Sequence, residues 1–260
     1  MDLPQYLFVV PEDFLYRTAM YTVMCFALHY LSDPMMALFF PSTAEWKHGK
    51  KVDAYNRLVS SVHAVLMFAL TLYYWVEKNP SMNLVGYNID SLQALTHDAM
   101  IGYLVYDTIT NYALVATGDN MTMVHHLLGL ITHISARLFN SGPASFYYMM
   151  VYIAEGSTLP LHVVWFMHAL DLKDYPSFKI VCFIVLASYA VLRIMWGPYM
   201  LYHLATNYEM WQSNEIDSFL LYPNSIILFL FNLINFFWFH KLITKFLSTT
   251  STTTSSSKKD

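Results

Sequence analysis

Seven apolar runs constrain this chain most, because each is close to or longer than the roughly 20 helical residues that cross a bilayer core of about 30 Å. The runs are Phe14–Leu31, Leu58–Val76, Thr96–Ala116, Thr122–Asn140, Ala144–Leu170, Phe178–Ala205 and Phe219–Leu247. Charged residues make up only 12% of the chain, whereas a soluble domain carries about 25%. Backbone groups inside a bilayer must be satisfied within their own segment, so the runs predict an all-α, multi-pass transmembrane bundle of about seven spans.

The composition divides the chain into three parts. Residues 1–51 form an N-terminal span and a basic linker, residues 52–247 form the main transmembrane domain, and residues 248–260 form a Ser/Thr/Lys-rich tail that is predicted to be disordered. The short segment Pro34–Phe40 is predicted to lie at the membrane interface. Each of the last three runs exceeds the length of a span and contains a proline, which predicts tilt or kinks. These prolines are Pro160, Pro198 and Pro223.

The distribution of Lys and Arg predicts the orientation, because cytosolic loops are enriched in both residues. The loop Ser32–Arg57, the later loops on the same side and the C-terminal tail together hold ten of them, whereas the opposite side has Lys78. We therefore expect a lumenal N-terminus and a cytosolic C-terminus, with the endoplasmic reticulum as the expected membrane.

The run Thr122–Asn140 carries ionisable side chains on one face of a helix. At 100° per residue, one face collects polar or small residues and the opposite face collects apolar ones. The polar face holds Thr122, His126, Gly129, His133, Arg137 and Asn140. A face of this kind is costly in lipid, so it is expected to look into a polar intramembrane cavity.

Similar depth in the membrane links further polar residues to this face. With a rise of 1.5 Å per residue, Asp107, His63 and His162 fall with His126 in the cytosolic half of their spans. Glu155 lies nearer the middle. Tyr103 precedes Asp107 by one helical turn, and Arg193 lies deep enough to need a partner, for which Glu155 and Asp107 are the candidates. The predicted lipid-binding residues are His63, Tyr103, Asp107, His126, His133, Glu155, His162 and Arg193.

The adjacent pair His125 and His126 admits several roles, including a general base, a polar clamp and a metal ligand. Neighbouring residues on a helix point about 100° apart, so the two rings do not readily coordinate one ion, and no metal is expected. A single functional histidine supported by its neighbour is the favoured interpretation. If the protein is an enzyme, His125, His126 and Asp107 are its predicted catalytic residues.

The order of several short motifs resembles the TLC-domain family, which includes ceramide synthases and translocating-chain-associated membrane proteins. The motifs YNRLVSSVHA, GYLVYD, VHHLLGL, AEGSTLP and VLRI follow a basic linker, and the resemblance covers roughly Val52 to Phe246. The details resemble most the subgroup called transmembrane protein 56, or TLC domain-containing protein 4.

This resemblance implies a helical domain around a lipid-sized cavity in the endoplasmic reticulum or a related membrane, with a role involving sphingolipids, acyl chains or membrane composition. The paired histidines of the family correspond to His125 and His126, and its third-span aspartate corresponds to Asp107. Ceramide synthases carry a further His-Asp and Asp cluster after the pair. This chain instead has SFYYMMVYIAEGSTLP, in which Glu155 is the acidic residue.

Three functions therefore stay open. The leading hypothesis is a protein that binds, senses or transports a lipid in membrane lipid homeostasis, with a membrane lipid or acyl chain as its partner and no cofactor. The alternative is a ceramide-synthase-like acyltransferase, for which acyl-CoA would be the co-substrate and His126 or His125 the general base, oriented by Asp107. The third is a structural or cargo-binding membrane protein. No nucleic-acid partner is expected, and the sequence names no protein partner.

Overall fold

A computed structural model describes residues 10–78, 89–114, 120–212 and 215–256. Within these ranges the chain is helical apart from short connections, and no strand occurs. The α-helices are α1 Phe14–Phe39, α2 His48–Lys78, α3 Ser91–Ile109, α4 Asn120–Phe139, α5 Gly142–Val151, α6 Thr158–Ala169, α7 Pro176–Tyr189, α8 Trp196–Thr206 and α9 Glu215–Ser256. The 3₁₀ segments are Pro41–Glu45, Tyr152–Ser157 and Tyr208–Gln212, and the π-helical segments are Thr110–Leu114 and Ala190–Met195. The predicted all-α class is confirmed.

The N-terminal helices are longer than their apolar runs. Helix α1 continues through Pro34 to Phe39, so the segment Pro34–Phe40 that is predicted at the membrane interface forms the end of this helix. Helix α2 begins at His48, within the predicted basic linker, because its first turns are amphipathic: Val52 and Ala54 are buried while Lys50 is exposed. The connection between α1 and α2 is therefore reduced to residues 40–47.

Helix α1 packs closely against α3. A Cβ atom on Gly102 would lie 2.7 Å from Cβ of Tyr21, so only glycine allows this approach. The hydroxyl of Thr22 donates to the carbonyl oxygen of Gly102 at 3.1 Å. Nearer the other end of α1, Nδ1 of His29 lies 2.8 Å from the hydroxyl of Tyr106, and both side chains are buried.

Helix α3 begins five residues before the predicted start at Thr96, because polar residues cap it. The carboxylate of Asp90 accepts from the backbone N–H of Gln93 at 2.9 Å, and the Gln93 side chain accepts from the backbone N–H of Asp90 at 2.9 Å. This reciprocal capping box satisfies two N–H groups that a helix start otherwise leaves unpaired. The end of the predicted span, at Val115 and Ala116, lies outside the described residues.

Two of the three long runs are interrupted upstream of their prolines. Pro160 lacks an N–H for the carbonyl of Gly156, and the chain passes through the 3₁₀ segment Tyr152–Ser157 between α5 and α6. The π-helical segment Ala190–Met195 lies between α7 and α8, just before Pro198. Helix α9, by contrast, runs unbroken past Pro223.

Four helical stretches in the described part of the chain are long and apolar enough to cross a membrane, namely Phe14–Phe39, His48–Glu77, Pro176–Thr206 and Asp217–Phe246. The other three predicted spans correspond to α3, α4 and the interrupted pair α5–α6. Helix α9 continues to Ser256, so helical backbone covers most of the tail predicted to be disordered, and residues 257–260 lie outside the described ranges.

The predicted inner face of α4 is confirmed for four of its six residues, whereas Thr122 is half-buried and Asn140, just past the end of the helix, is exposed. Its buried residues are His126, Gly129, Thr132, His133, Ala136 and Arg137. On the opposite face Val124, Leu127 and Ile131 are 46%, 49% and 56% exposed. The polar stripe therefore faces the interior of the bundle and the apolar stripe faces outwards.

Candidate functional site

A cavity of about 620 Å³ opens between α2, α3, α4, the α5–α6 break, the π-helical segment before α8, and α9. Seven of the eight predicted lipid-binding residues line it, together with His125. These seven are Tyr103, Asp107, His126, His133, Glu155, His162 and Arg193. The exception is His63, which stacks on Tyr103 with ring centroids 3.8 Å apart and an angle of 10° between the planes. His63 therefore supports a wall residue and is not itself part of the wall.

Asp107 is the centre of the polar wall. Nε2 of His126 lies 3.0 Å from one carboxylate oxygen, and Nδ2 of Asn56 donates to the other at 2.6 Å. Asp107 and His126 are 5% and 6% exposed. A carboxylate this well buried is costly unless it is hydrogen-bonded, and these two donors from α2 and α4 provide that compensation.

The two adjacent histidines of α4 have different surroundings. Because a carboxylate only accepts, Nε2 of His126 carries a proton, and its Nδ1 lies 3.3 Å from the hydroxyl of Thr108. His125 contacts the rings of Phe231 and Trp238 on α9, at centroid distances of 5.1 and 5.2 Å. Nδ1 of His125 is buried without a hydrogen-bond partner among the described residues. His126 thus belongs to the Asp107 network, whereas His125 lies in an aromatic part of the cavity wall.

Polar contacts from α2 extend the wall on both sides of Asp107. The hydroxyl of Tyr103 donates to Oγ of Ser60 at 2.8 Å, and Oγ of Ser61 lies 3.0 Å from Nδ1 of His162. These contacts join α3 and α6 to the same helix. They bring Tyr103 and His162, predicted residues of two separate runs, to one cavity.

Arg193 has a different set of partners from the one predicted. Its guanidinium donates to Oγ of Ser157 at 2.7 Å, Oγ1 of Thr158 at 3.0 Å and Oδ1 of Asn235 at 3.2 Å. Direct pairing with Glu155 or Asp107 is therefore wrong for the described residues. Glu155 is reached only through Thr158, whose hydroxyl is 3.1 Å from Oε2. Both hydroxyl side chains lie at the junction between the 3₁₀ segment and α6, shortly before Pro160.

A second polar network, which the sequence analysis does not identify, joins α3 to α4 on the far side of His133. Nε of Arg137 donates to Oδ1 of Asp98 at 2.7 Å, and a terminal nitrogen donates to Oδ2 at 3.3 Å. Asp98 is 0% exposed and Arg137 4%. This buried ion pair fixes α3 against α4.

A buried histidine extends this second network. His97 is fully buried, with Nε2 2.7 Å from Oγ of Ser145 and Nδ1 3.0 Å from the hydroxyl of Tyr152. Nδ1 of His133 lies 3.2 Å from the same hydroxyl. Only His133 and Tyr152 of this group reach the cavity wall, so His97 and Ser145 act as packing partners.

The residues present indicate the kind of chemistry available to the cavity. Within the described ranges, no group of three or more His, Cys, Asp or Glu side chains is arranged to hold a metal ion. The wall offers one buried carboxylate–imidazole pair, several aromatic rings and a set of basic side chains. Such a wall suits a ligand with both an apolar and a polar part.

Apolar helices of membrane-crossing length around a cavity with ionisable groups define an integral membrane protein. A family model for the TLC domain matches residues 53–244, which is most of the chain. The protein therefore belongs to the TLC-domain family, which is associated with membrane lipids. A comparison with curated protein sequences gives no match.

Proposed function

We propose that the protein binds the acyl chain of a membrane lipid in the cavity and acts in lipid sensing, transport or homeostasis. The observation that carries this proposal is the cavity itself, because about 620 Å³ is within the range of small-molecule sites and its wall joins apolar and ionisable groups. Membership of the TLC-domain family supports a lipid ligand. The likeness to the TLC domain-containing protein 4 subgroup is part of the same proposal.

The proposed setting is a bundle of seven spans in the endoplasmic reticulum, with a lumenal N-terminus and a cytosolic C-terminus. In this arrangement α3, α4 and α5–α6 turn their polar faces to the interior of the bundle, and the apolar stripe of α4 faces lipid. The support is that buried polar groups of α3 and α4 pair with one another, as Asp98 does with Arg137.

A second candidate function, acyl transfer, is favoured by the contact between Asp107 and His126. With Nε2–H bound to the carboxylate, Nδ1 is the basic nitrogen of His126 and could accept a proton from an attacking amine or hydroxyl. That nucleophile would form a new bond to the carbonyl carbon of an acyl-CoA thioester. The carbon–sulfur bond would break, and the departing thiolate would take the proton back from His126.

The test of lipid binding is native mass spectrometry of gently purified protein and of two neighbouring variants. We expect the wild type to retain lipid and His126→Ala to lose it, because the imidazole lines the cavity. Leu127→Ala is the matched control, since Leu127 points outwards and is 49% exposed. Full retention of lipid by a folded His126→Ala variant would contradict the proposal.

Asp107→Asn separates binding from acyl transfer. The amide keeps the size of the side chain and can still bond to Asn56, but it removes the charge that stabilises an imidazolium at His126. Under acyl transfer, turnover of labelled acyl-CoA with long-chain amines should fall by orders of magnitude while lipid still binds. Wild-type protein that binds lipid but transfers no acyl group to any such amine would refute acyl transfer to amines.

A further inference from the structure

We propose that His97, His133 and Tyr152 form a binding site for a divalent transition-metal ion beside the cavity, with zinc as the first candidate. The three residues come from α3, α4 and the 3₁₀ segment between α5 and α6. The inference does not depend on which lipid the cavity takes. It rests on the distances between three donor atoms, the orientation of the two imidazole rings and the hydrogen-bond partner on the far side of His97.

The three donor atoms form a nearly equilateral triangle. Nδ1 of His97 lies 3.3 Å from Nδ1 of His133 and 3.0 Å from the hydroxyl oxygen of Tyr152. The third side, from Nδ1 of His133 to the same oxygen, is 3.2 Å. A tetrahedral zinc ion with bonds of about 2.0–2.1 Å separates its ligand atoms by about 3.3 Å. One ion placed slightly out of the plane of the triangle therefore reaches all three atoms.

The orientation of the two imidazole rings agrees with a shared ion. The ring centroids of His97 and His133 are 5.3 Å apart. Two histidines that bind one ion through Nδ1 at a tetrahedral angle have their centroids about 5.2 Å apart. A linear N–H···N hydrogen bond of the same Nδ1–Nδ1 length would place them about 5.6 Å apart. Both rings thus point their Nδ1 atoms towards a common position.

The far side of His97 fixes this ring as a metal ligand requires. Its Nε2 lies 2.7 Å from Oγ of Ser145. An Nε2–H that donates to this oxygen leaves the lone pair of Nδ1 available to an ion, and histidines that bind metals usually donate their second N–H to an oxygen in this way. Ser145 is fully buried, so water does not compete for the contact.

The site has an entry path and a neutral neighbourhood. His133 and Tyr152 line the cavity, so an ion can reach the triangle from there, and an oxygen atom of water or of a cavity ligand can take the fourth coordination position. Arg137 lies one helical turn after His133, but its guanidinium is paired with Asp98 at 2.7 Å. The pair therefore adds little net positive charge that would repel a cation.

The donor set determines the class of metal. Imidazole nitrogens suit zinc, copper, iron and nickel, whereas magnesium and calcium prefer oxygen ligands. The third donor is the phenol oxygen of Tyr152, so the site differs from a set of three His, Cys, Asp or Glu side chains, which the described residues lack. Three protein ligands with an open fourth position are typical of metal sites that bind a further molecule.

The experiment measures Zn²⁺ binding to full-length protein that carries no histidine tag and has been stripped of metal with EDTA. Competition with a zinc-sensitive dye gives the affinity. We expect the wild type to bind one Zn²⁺ per chain and its Tm to rise when Zn²⁺ is added, because an ion that binds only the folded state stabilises it. Ser145→Ala should weaken binding about ten- to hundredfold. His133→Gln and Tyr152→Phe should weaken it further, because each removes a ligand atom.

His162→Gln is the matched control, because His162 is also a buried histidine of the cavity wall but its Nδ1 contacts Ser61. This variant should bind Zn²⁺ as tightly as the wild type. Equal affinity of the wild type and His133→Gln would show adventitious binding at histidines elsewhere and overturn the proposal.

A wild type that binds no Zn²⁺ and shows no rise in Tm would reduce the triangle to hydrogen bonds alone. That outcome overturns the proposal even if the variants fail to fold, because it needs the wild type only. Lipid retention is not the quantity measured, so either negative result leaves the proposed lipid-binding function in place.

Discussion

Removing one partner of the buried pair between Asp98 and Arg137 should destabilise the protein strongly. In the wild type, the carboxylate of Asp98 accepts from two nitrogens of Arg137 at 2.7 and 3.3 Å. In Asp98→Asn the guanidinium keeps its position but loses this carboxylate. Breaking a buried ion pair costs about 3–5 kcal/mol. The carboxylate of Asp13 lies 3.7 Å from Arg137 and partly replaces the lost charge, so we expect the lower end, about 3 kcal/mol.

Thermal melts of purified protein in detergent measure this loss. For a chain of this size, 1 kcal/mol corresponds to about 2–4 °C, so Asp98→Asn should lower Tm by about 6–12 °C. Asp53→Asn is the matched control, because its pair with Arg57 has side chains that are 31% and 27% exposed. Pairs of that kind contribute about 0–1 kcal/mol, so the Tm of the control should change by no more than about 4 °C.

A double variant decides whether the effect comes from the pair. Asp98→Asn/Arg137→Met removes both charges. It should be more stable than either single variant, because each single variant leaves one buried charge unpaired and the double variant leaves none. If the losses of the two single variants simply add, the two side chains do not stabilise each other. Equal shifts for Asp98→Asn and the partly exposed control Asp53→Asn would refute the argument from burial.

Three further predictions concern packing, the arginine network and topology. Gly197→Ala places a Cβ 2.0 Å from Oδ1 of Asn232 and should cost about 1–3 kcal/mol by thermal melt, whereas Gly49→Ala, with no atom within 4 Å, should cost nothing. Arg193→Leu and Glu155→Gln should show a coupling of about 0.5–1 kcal/mol in the free energy of unfolding, measured by thermal melts, because the two residues share the hydroxyl of Thr158 as a hydrogen-bond partner; a coupling of about 3 kcal/mol would indicate a direct pair. A glycosylation tag should be modified at the N-terminus only, and modification of a C-terminal tag would reverse the orientation.

The sequence predicts the inner face of α4 and much of the cavity wall for a simple reason. Ionisable groups in an apolar run must face inwards, and a helix has only one inward face. This reasoning puts His126, His133 and Arg137 on the buried side, as the structure confirms. Equal depth in antiparallel spans likewise indicates that Asp107 and His126 are neighbours, and they are 3.0 Å apart.

The pair between Asp98 and Arg137 is consistent with the same antiparallel register, but the sequence did not lead us to predict it. Asp98 lies nine residues before Asp107 on α3, and Arg137 lies eleven residues after His126 on α4. Because the two helices are antiparallel, these are similar distances from the contact between Asp107 and His126. The predicted span begins at Thr96, which puts Asp98 at a helix end, where a carboxylate needs no buried partner. The capping residue Asp90 shows that α3 starts earlier and that Asp98 lies well inside it.

The partners of Arg193 could not be predicted, because they depend on how the helix breaks. Ser157 ends the 3₁₀ segment and Thr158 begins α6, and both side chains contact the guanidinium across this junction. The proline indicates an interruption but does not specify its geometry.

The family match begins at residue 53, yet α1, which ends at Phe39, is part of the same folded unit. Its Thr22 and His29 bond to Gly102 and Tyr106 of α3, and Tyr106 directly precedes Asp107 in the chain. A protein trimmed to the matched region would expose this face of α3 and leave the buried hydroxyl of Tyr106 without its imidazole. The boundary of the homologous segment is thus a poor guide for truncation, and expression of the domain should keep the first helix.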